Sequence, residues 1–128
     1  MCLYVKTTFK TRQEARDFQP LVAKKNIEVW KILMNEGKSP YRHFKWEPGF
    51  HYYQDNGKLP KNINGCWNIQ IHAGLHAFVD EVTARKRRRE MFYYHNKHIV
   101  KMTIPKGAKY FLGTNGDIVS TEMIYPKK

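Results

Sequence analysis

Cysteine is scarce. Cys2 and Cys66 are the two in 128 residues, too few for the disulfide framework that staples small secreted domains. Apolar runs are short: Val29-Trp30 and Ile32-Leu33-Met34 are typical, far below the ~20 residues that span a bilayer. Met1-Cys2-Leu3-Tyr4-Val5-Lys6 lacks a charged segment leading into a long apolar stretch, so no signal peptide is expected. The expected location is therefore a reducing cytoplasm, with no membrane partner. Linkers, internal repeats and low-complexity tracts are missing too, and so is any recognisable catalytic signature. Acidic residues are few: 11 Asp and Glu stand against 23 Lys and Arg, giving a net charge of +12.

What the chain does have is aromatic and apolar mass. Aromatics make up 14% and apolar residues 41%, a composition that argues against wholesale disorder. The length suits one domain, able to bury roughly two-thirds of its unfolded surface without staples. Residues 2–9 alternate and are rich in β-formers, which predicts a strand. Thr11 and Glu14 have capping-box spacing, predicting a short helix from Arg12 to Phe18 that stops before Pro20. Residues 27–34 read as a central strand. A turn at Glu47-Pro48-Gly49 leads to a strand over Phe50–Gln54, and Asp55-Asn56-Gly57-Lys58 is a hairpin signal. In 66–72 the alternation predicts Trp67, Ile69 and Ile71 facing the core. After Gly74 the period lengthens, and Phe78, Val82, Ala77, Ala84 and Met91 predict a long basic helix from about 77 to 95, with Asp80 and Glu81 in its first turn. Strands over Ile99–Ile104, Lys109–Leu112 and Ile118–Tyr125 follow, separated by turns at Pro105-Lys106-Gly107 and Thr114-Asn115-Gly116-Asp117. The expected fold is one α+β domain, residues 1–128: a mainly antiparallel, curved sheet with one long basic helix and one short N-terminal helix.

Charge is concentrated. From Arg85 to Lys109 there are nine basic residues, opposed by Glu90 alone, so this stretch carries eight of the twelve net charges. Its heart is Arg85, Lys86, Arg87, Arg88 and Arg89. On a helix Arg85, Arg88 and Arg89 cluster, while Lys86 and Arg87 widen the stripe. Guanidinium groups grip phosphates bidentately. Tyr93 and Tyr94 offer faces on which unstacked bases can lie, and His95, Lys97 and Lys101 extend the basic surface. Such a field attracts polyanions over about 8 Å at physiological salt. A basic-aromatic alternation at Tyr41-Arg42-His43-Phe44-Lys45-Trp46 repeats the theme, although period 2 favours Phe44 and Trp46 as core.

Six histidines invite chemistry. His72 and His76 have the residue type for general acid–base cleavage of a phosphodiester. With Cys66 they would make a zinc set, but no paired Cys-x-x-Cys or His-x-x-x-His on a helix accompanies them, so no metal and no cofactor is expected. Cys2, exposed as an N-terminal nucleophile after Met removal, reads more simply as a small buried residue of the first strand.

Met1-Cys2-Leu3, Val29-Trp30-Lys31-Ile32-Leu33, Ser39-Pro40-Tyr41, Gly74-Leu75-His76-Ala77-Phe78, Ile104-Pro105-Lys106-Gly107-Ala108-Lys109-Tyr110 and Gly116-Asp117-Ile118-Val119-Ser120 together span most of the chain. This pattern resembles a family of small uncharacterised proteins of bacterial and phage genomes. The resemblance implies a mobile-element setting, in which short basic proteins act against host defences, for instance as anti-CRISPR inhibitors of an RNA-guided nuclease. It brings no catalytic residues with it, and the Arg-rich stretch lies outside the family pattern. Gly74-Leu75-His76-Ala77-Phe78 followed by a helix, with Glu122 as acid, is also similar to the ADP-ribosyltransferase fold, but an early catalytic Arg or His at matching spacing is lacking.

The expectation from sequence is a non-enzymatic basic domain that binds RNA or a protein–RNA complex such as a guide-loaded nuclease. The alternatives are an enzyme using His72, His76 and Glu122, and a module docking on an acidic protein surface.

Overall fold

The computed structural model describes residues 3–34, 45–53, 59–63, 65, 67–91 and 98–126. In chain order its elements are β1 (Leu3–Tyr4), α1 (Arg12–Asp17), β2 (Leu21–Val22), β3 (Ile27–Leu33), β4 (Gly49–Tyr52), β5 (Asn62–Ile63), β6 (Ile69–Ile71), β7 (Leu75–Phe78), α2 (Glu81–Glu90), β8 (His98–Ile104), β9 (Lys109–Leu112), β10 (Asp117–Ser120) and β11 (Glu122–Tyr125). Eight strands form one sheet in the order β2-β9-β10-β7-β3-β8-β11-β4, and three form a second in the order β1-β6-β5. Every pairing is antiparallel.

The register sorts side chains of the large sheet onto two faces. Along β3, Val29, Lys31 and Leu33 point one way and Trp30 and Ile32 the other. The first face joins Ala77, Met102, Ile104, Ile118, Met123 and Trp46 into the largest core cluster. The Trp30 face is covered twice. Over β9 and β10, the small sheet and α1 bring Leu3, Ala15, Ile69 and Ile71 onto Phe111 and Val119. Over β3 and β7, α2 brings Ala84 onto Ile32 and Phe78.

Local chemistry starts and stops the helices. Thr11 Oγ1 accepts the Glu14 N–H at 3.2 Å, and Glu14 reaches back to accept the Lys10 N–H at 3.0 Å, as the capping box predicts. At the other end of α1, Lys61 Nζ donates to the carbonyls of Ala15, Arg16 and Phe18 at 3.0, 2.6 and 2.9 Å. A cation on orphan carbonyls at a helix C-terminus is favourable. Desolvation lowers the Lys61 pKa, with Asp17 acting against that shift. One of the chain's cations is thereby consumed by structure.

The long-helix α+β reading is overturned. Among the described residues the molecule is predominantly antiparallel β-sheet, with helices of 6 and 10 residues. Residues 77 and 78 belong to β7, which pairs with β10 through Asp117↔Phe78, Ile118↔Ala77, Val119↔His76 and Ser120↔Leu75. This ladder also buries Ala77 and Phe78 on opposite faces, and non-local pairing of that kind overrides a helical period read from one segment. Asp80 is accordingly the N-cap of α2 rather than part of its first turn. Its Oδ1 accepts the Thr83 N–H at 2.7 Å, which holds its carboxyl below the ordinary range. The predicted strand over 118–125 is split at Thr121 into β10 and β11. Trp67 leaves the alternation of 66–72, sitting at φ 60° outside β6. β2 and β5, both of two residues, were not predicted.

Gly74 carries one of the close approaches that hold these layers. Its φ is +107°, and a Cβ there would lie 2.6 Å from both Leu59 Cδ2 and Val119 Cγ2. Gly74→Ala adds left-handed strain to overpacking, so a loss of about 2–4 kcal/mol in urea unfolding is expected. A variant as stable as the parent would mean that the β6–β7 turn yields at no cost.

Candidate nucleic-acid interface

A ten-residue helix at 100° per residue separates its five consecutive basic residues. Ala84 is buried against the sheet and Met91 packs beside it. Arg87 and Arg88 flank this inward side and are half-buried. Arg85, Lys86 and Arg89 point outward and are exposed, with Val82 at 77% exposure on the same side. The outward stripe is therefore Arg85, Lys86 and Arg89. Arg88, which the sequence groups with Arg85 and Arg89, lies at the inner edge of that side and is half-buried.

The flanking arginines have structural partners. Arg87 meets Glu90 at 3.4 Å, and its charge also acts weakly on Asp117 of β10. Asp117 is 7% exposed. Burial raises its pKa most, while backbone hydrogen bonds and Arg87 pull it down. The Arg88 carbonyl accepts the Met91 N–H at 3.2 Å where the helix ends. Arg85 is paired with Glu81 at 3.0 Å, an exposed contact of little strength. Lys86 and Arg89 hold no ion pair among the described residues. Tyr93, Tyr94, His95 and Lys97 lie outside the described residues.

Lys101 sits on β8 opposite Trp30, on the sheet face that carries α2. It is exposed and 3.0 Å from Glu28. That face continues past β8 without an element laid over it among the described residues. Ile124 pairs with Thr103 and with Phe50, and Glu122 with Tyr52. Phe50 and Tyr52 stand two residues apart on the edge strand β4, 55% and 58% exposed, with ring centroids 6.1 Å apart. The sequence predicts a strand over 50–54 but does not mark these rings as exposed; aromatics at i and i+2 after a Pro-Gly turn are the signal it offers.

The opposite face holds a lysine that sequence reading also passed over, although period 2 places it between Val29 and Leu33. Lys31 is 7% exposed. Its Nζ donates to the His76 carbonyl at 2.6 Å and lies 4.6 Å from the Trp46 ring centroid. The reason is a gap in the sheet. β3 and β7 share the single pair Trp30↔Phe78, so the His76 carbonyl takes a side-chain donor. Desolvation lowers the Lys31 pKa from its ordinary 10.5 to about 7. Trp46 also contacts the His51 ring at 4.6 Å. Trp46 is thus core, as its alternation predicted, while Tyr41–Phe44 lie outside the described residues.

The enzymatic candidates do not converge on one point. The His76 ring engages the main-chain carbonyl of His72 at 3.3 Å. His76 pairs with Val119 on β10, and Glu122 follows Val119 by three residues, about 10 Å along the chain at ordinary strand rise. No group of three His, Cys, Asp or Glu able to hold a metal occurs among the described residues, and Cys2 and Cys66 lie outside them. No helix of the described residues is long and apolar enough to cross a membrane. Comparison with protein-family models, with curated proteins and with solved structures finds no match.

Proposed function

We propose that this chain is a non-enzymatic basic domain that grips RNA or a ribonucleoprotein through the outward side of α2. The observation that carries the reading is the stripe of Arg85, Lys86 and Arg89. These three cations are exposed on one side of one helix, two of them without a carboxylate among the described residues, on a chain of net charge +12. Exposed, unneutralised cations at helical spacing suit a phosphate backbone, which presents negative charge at regular intervals. Lys101 on the neighbouring strand adds to the same face. The resemblance to phage-genome proteins supplies the finer form of the proposal, in which the ribonucleoprotein is a guide-loaded nuclease and binding inhibits it.

Salt dependence is the direct test. Three neutralised phosphates on a single strand give a slope of about −2 in log K against log salt, so anisotropy titrations of labelled RNA are expected to weaken about twentyfold between 50 and 200 mM salt. Salt-insensitive binding, or none with RNA, single-stranded DNA and a guide-loaded nuclease alike, would overturn the proposal.

A further inference from the structure

We infer that the open end of the Trp30 face, from Phe50 and Tyr52 on β4 across to Lys101 on β8, is a base-stacking platform for single-stranded nucleic acid. The inference rests on the proposed polyanion reading and names the form of polyanion that the surface takes.

Four observations lead there. Phe50 and Tyr52 are more than half exposed and lie side by side. Two large aromatic rings left in water on an edge strand mark a surface with a partner. The neighbouring positions on this face, Ile124, Thr103 and Trp30, are half-buried, so the strip is continuous up to the side where α2 packs. At about 4.8 Å per strand, the ring pair lies about 10 Å from the strand of Lys101.

The charge pattern gives the ligand a direction. Cations gather at the α2 end, where Arg85, Lys86 and Arg89 point outward, while Lys101 and Glu28 on the intervening strands neutralise each other. At the β4 end Glu122 pairs with Tyr52 in the register. A phosphate beside that carboxylate is repelled, whereas an exocyclic amino group of a splayed base can donate to it. The backbone of a bound strand then runs along the cationic side and its bases turn toward the rings. A duplex keeps its bases stacked on one another and presents no free face, so it gains nothing from Phe50 and Tyr52.

The test compares labelled single-stranded and duplex RNA of equal length at one salt concentration, using the full chain. Phe50→Ala with Tyr52→Ala is expected to weaken single-strand binding about tenfold or more and duplex binding less than about twofold. The salt slope should be unchanged, because no cation is removed. Phe50→Tyr with Tyr52→Phe keeps both rings and should keep the affinity, which separates stacking from a change in the β4 edge. If the alanine pair binds single strands like the parent while reversal of the α2 charges abolishes binding, the platform is refuted and the polyanion reading stands. The platform is equally refuted if the pair only converts a dimer to a monomer in sedimentation, with RNA affinity intact. Absence of nucleic-acid binding by the parent chain refutes both.

Discussion

Replacing Arg85, Lys86 and Arg89 together with glutamate is expected to lower affinity for labelled RNA about a hundredfold, near 1 kcal/mol for each exposed cation. The slope of log K against log salt should shrink by about 2 at the same time. These side chains point away from the sheet, so the core contacts of Ala84 and Met91 with Ile32 and Phe78 are untouched. Some stability is nevertheless lost. The Glu81–Arg85 pair disappears, and the carboxylate at position 89 stands in the last turn of α2, against the helix dipole, at about 0.3–1 kcal/mol. Substituting glutamine at the same three positions removes the charge with less of this cost and should give a smaller loss of affinity in the same direction. Arg87→Gln is the contrast. That arginine is half-buried and pairs with Glu90, so its loss is expected in thermal unfolding more than in binding. Triple variants that bind like the parent would remove α2 from the interface.

Lys31→Met should make the protein more stable at pH ~6, by about 2 kcal/mol, lose that advantage at pH ~8.5 and be the less stable protein toward pH ~10. The parent buries a charge against Trp46 and the His76 carbonyl. Removing a buried charge in favour of an apolar side chain of similar length relieves a desolvation cost of several kcal/mol. It also leaves the carbonyl without its donor, which costs about 1–3 kcal/mol. The pH dependence follows from the proton balance. Unfolded, Lys31 holds its proton up to about pH 10.5; folded, it releases it near 7. Between those values the unfolded state carries the extra proton, so the parent gains stability as pH rises, by at most about 1.4 kcal/mol per pH unit. Below pH 7 both states are protonated and the cost is constant. The neutral amine still donates to His76, so the parent makes up about 2 kcal/mol by pH ~8.5 and is the more stable protein toward pH ~10. Urea unfolding of both proteins across pH 6–10 measures the difference. Parallel curves would mean that Lys31 keeps its proton in the folded state, with water or a rearranged partner at its head.

Much of the β-structure was legible because period 2 is a local signal. β3, β8 and β9 lie within a residue of where alternation put them, and the Thr11 cap, the Lys106-Gly107 turn and the buried Trp46 follow from residues a few positions apart. The helix was misread at its start. Ala77 and Phe78 fit the face of a helix equally well until β10 and β3 arrive from elsewhere in the chain to pair with them. The two-residue strands β2 and β5 left no pattern long enough to see; they exist because β9 and β6 pair with them.

The candidate site divides in the same way. Composition alone determined that the chain is a cationic, aromatic-rich domain without a disulfide framework, because charge and residue type need no geometry. Whether a given arginine meets solvent or a carboxylate is a matter of direction. α2 turns Ala84 into the sheet, and that one packing choice points Lys86 and Arg89 outward while leaving Arg87 half-buried beside Glu90. Tertiary structure likewise left Phe50 and Tyr52 uncovered on an edge strand and enclosed Lys31 in the core. A side chain's surroundings come from strands distant in sequence, and those contacts exist only once the sheet has formed.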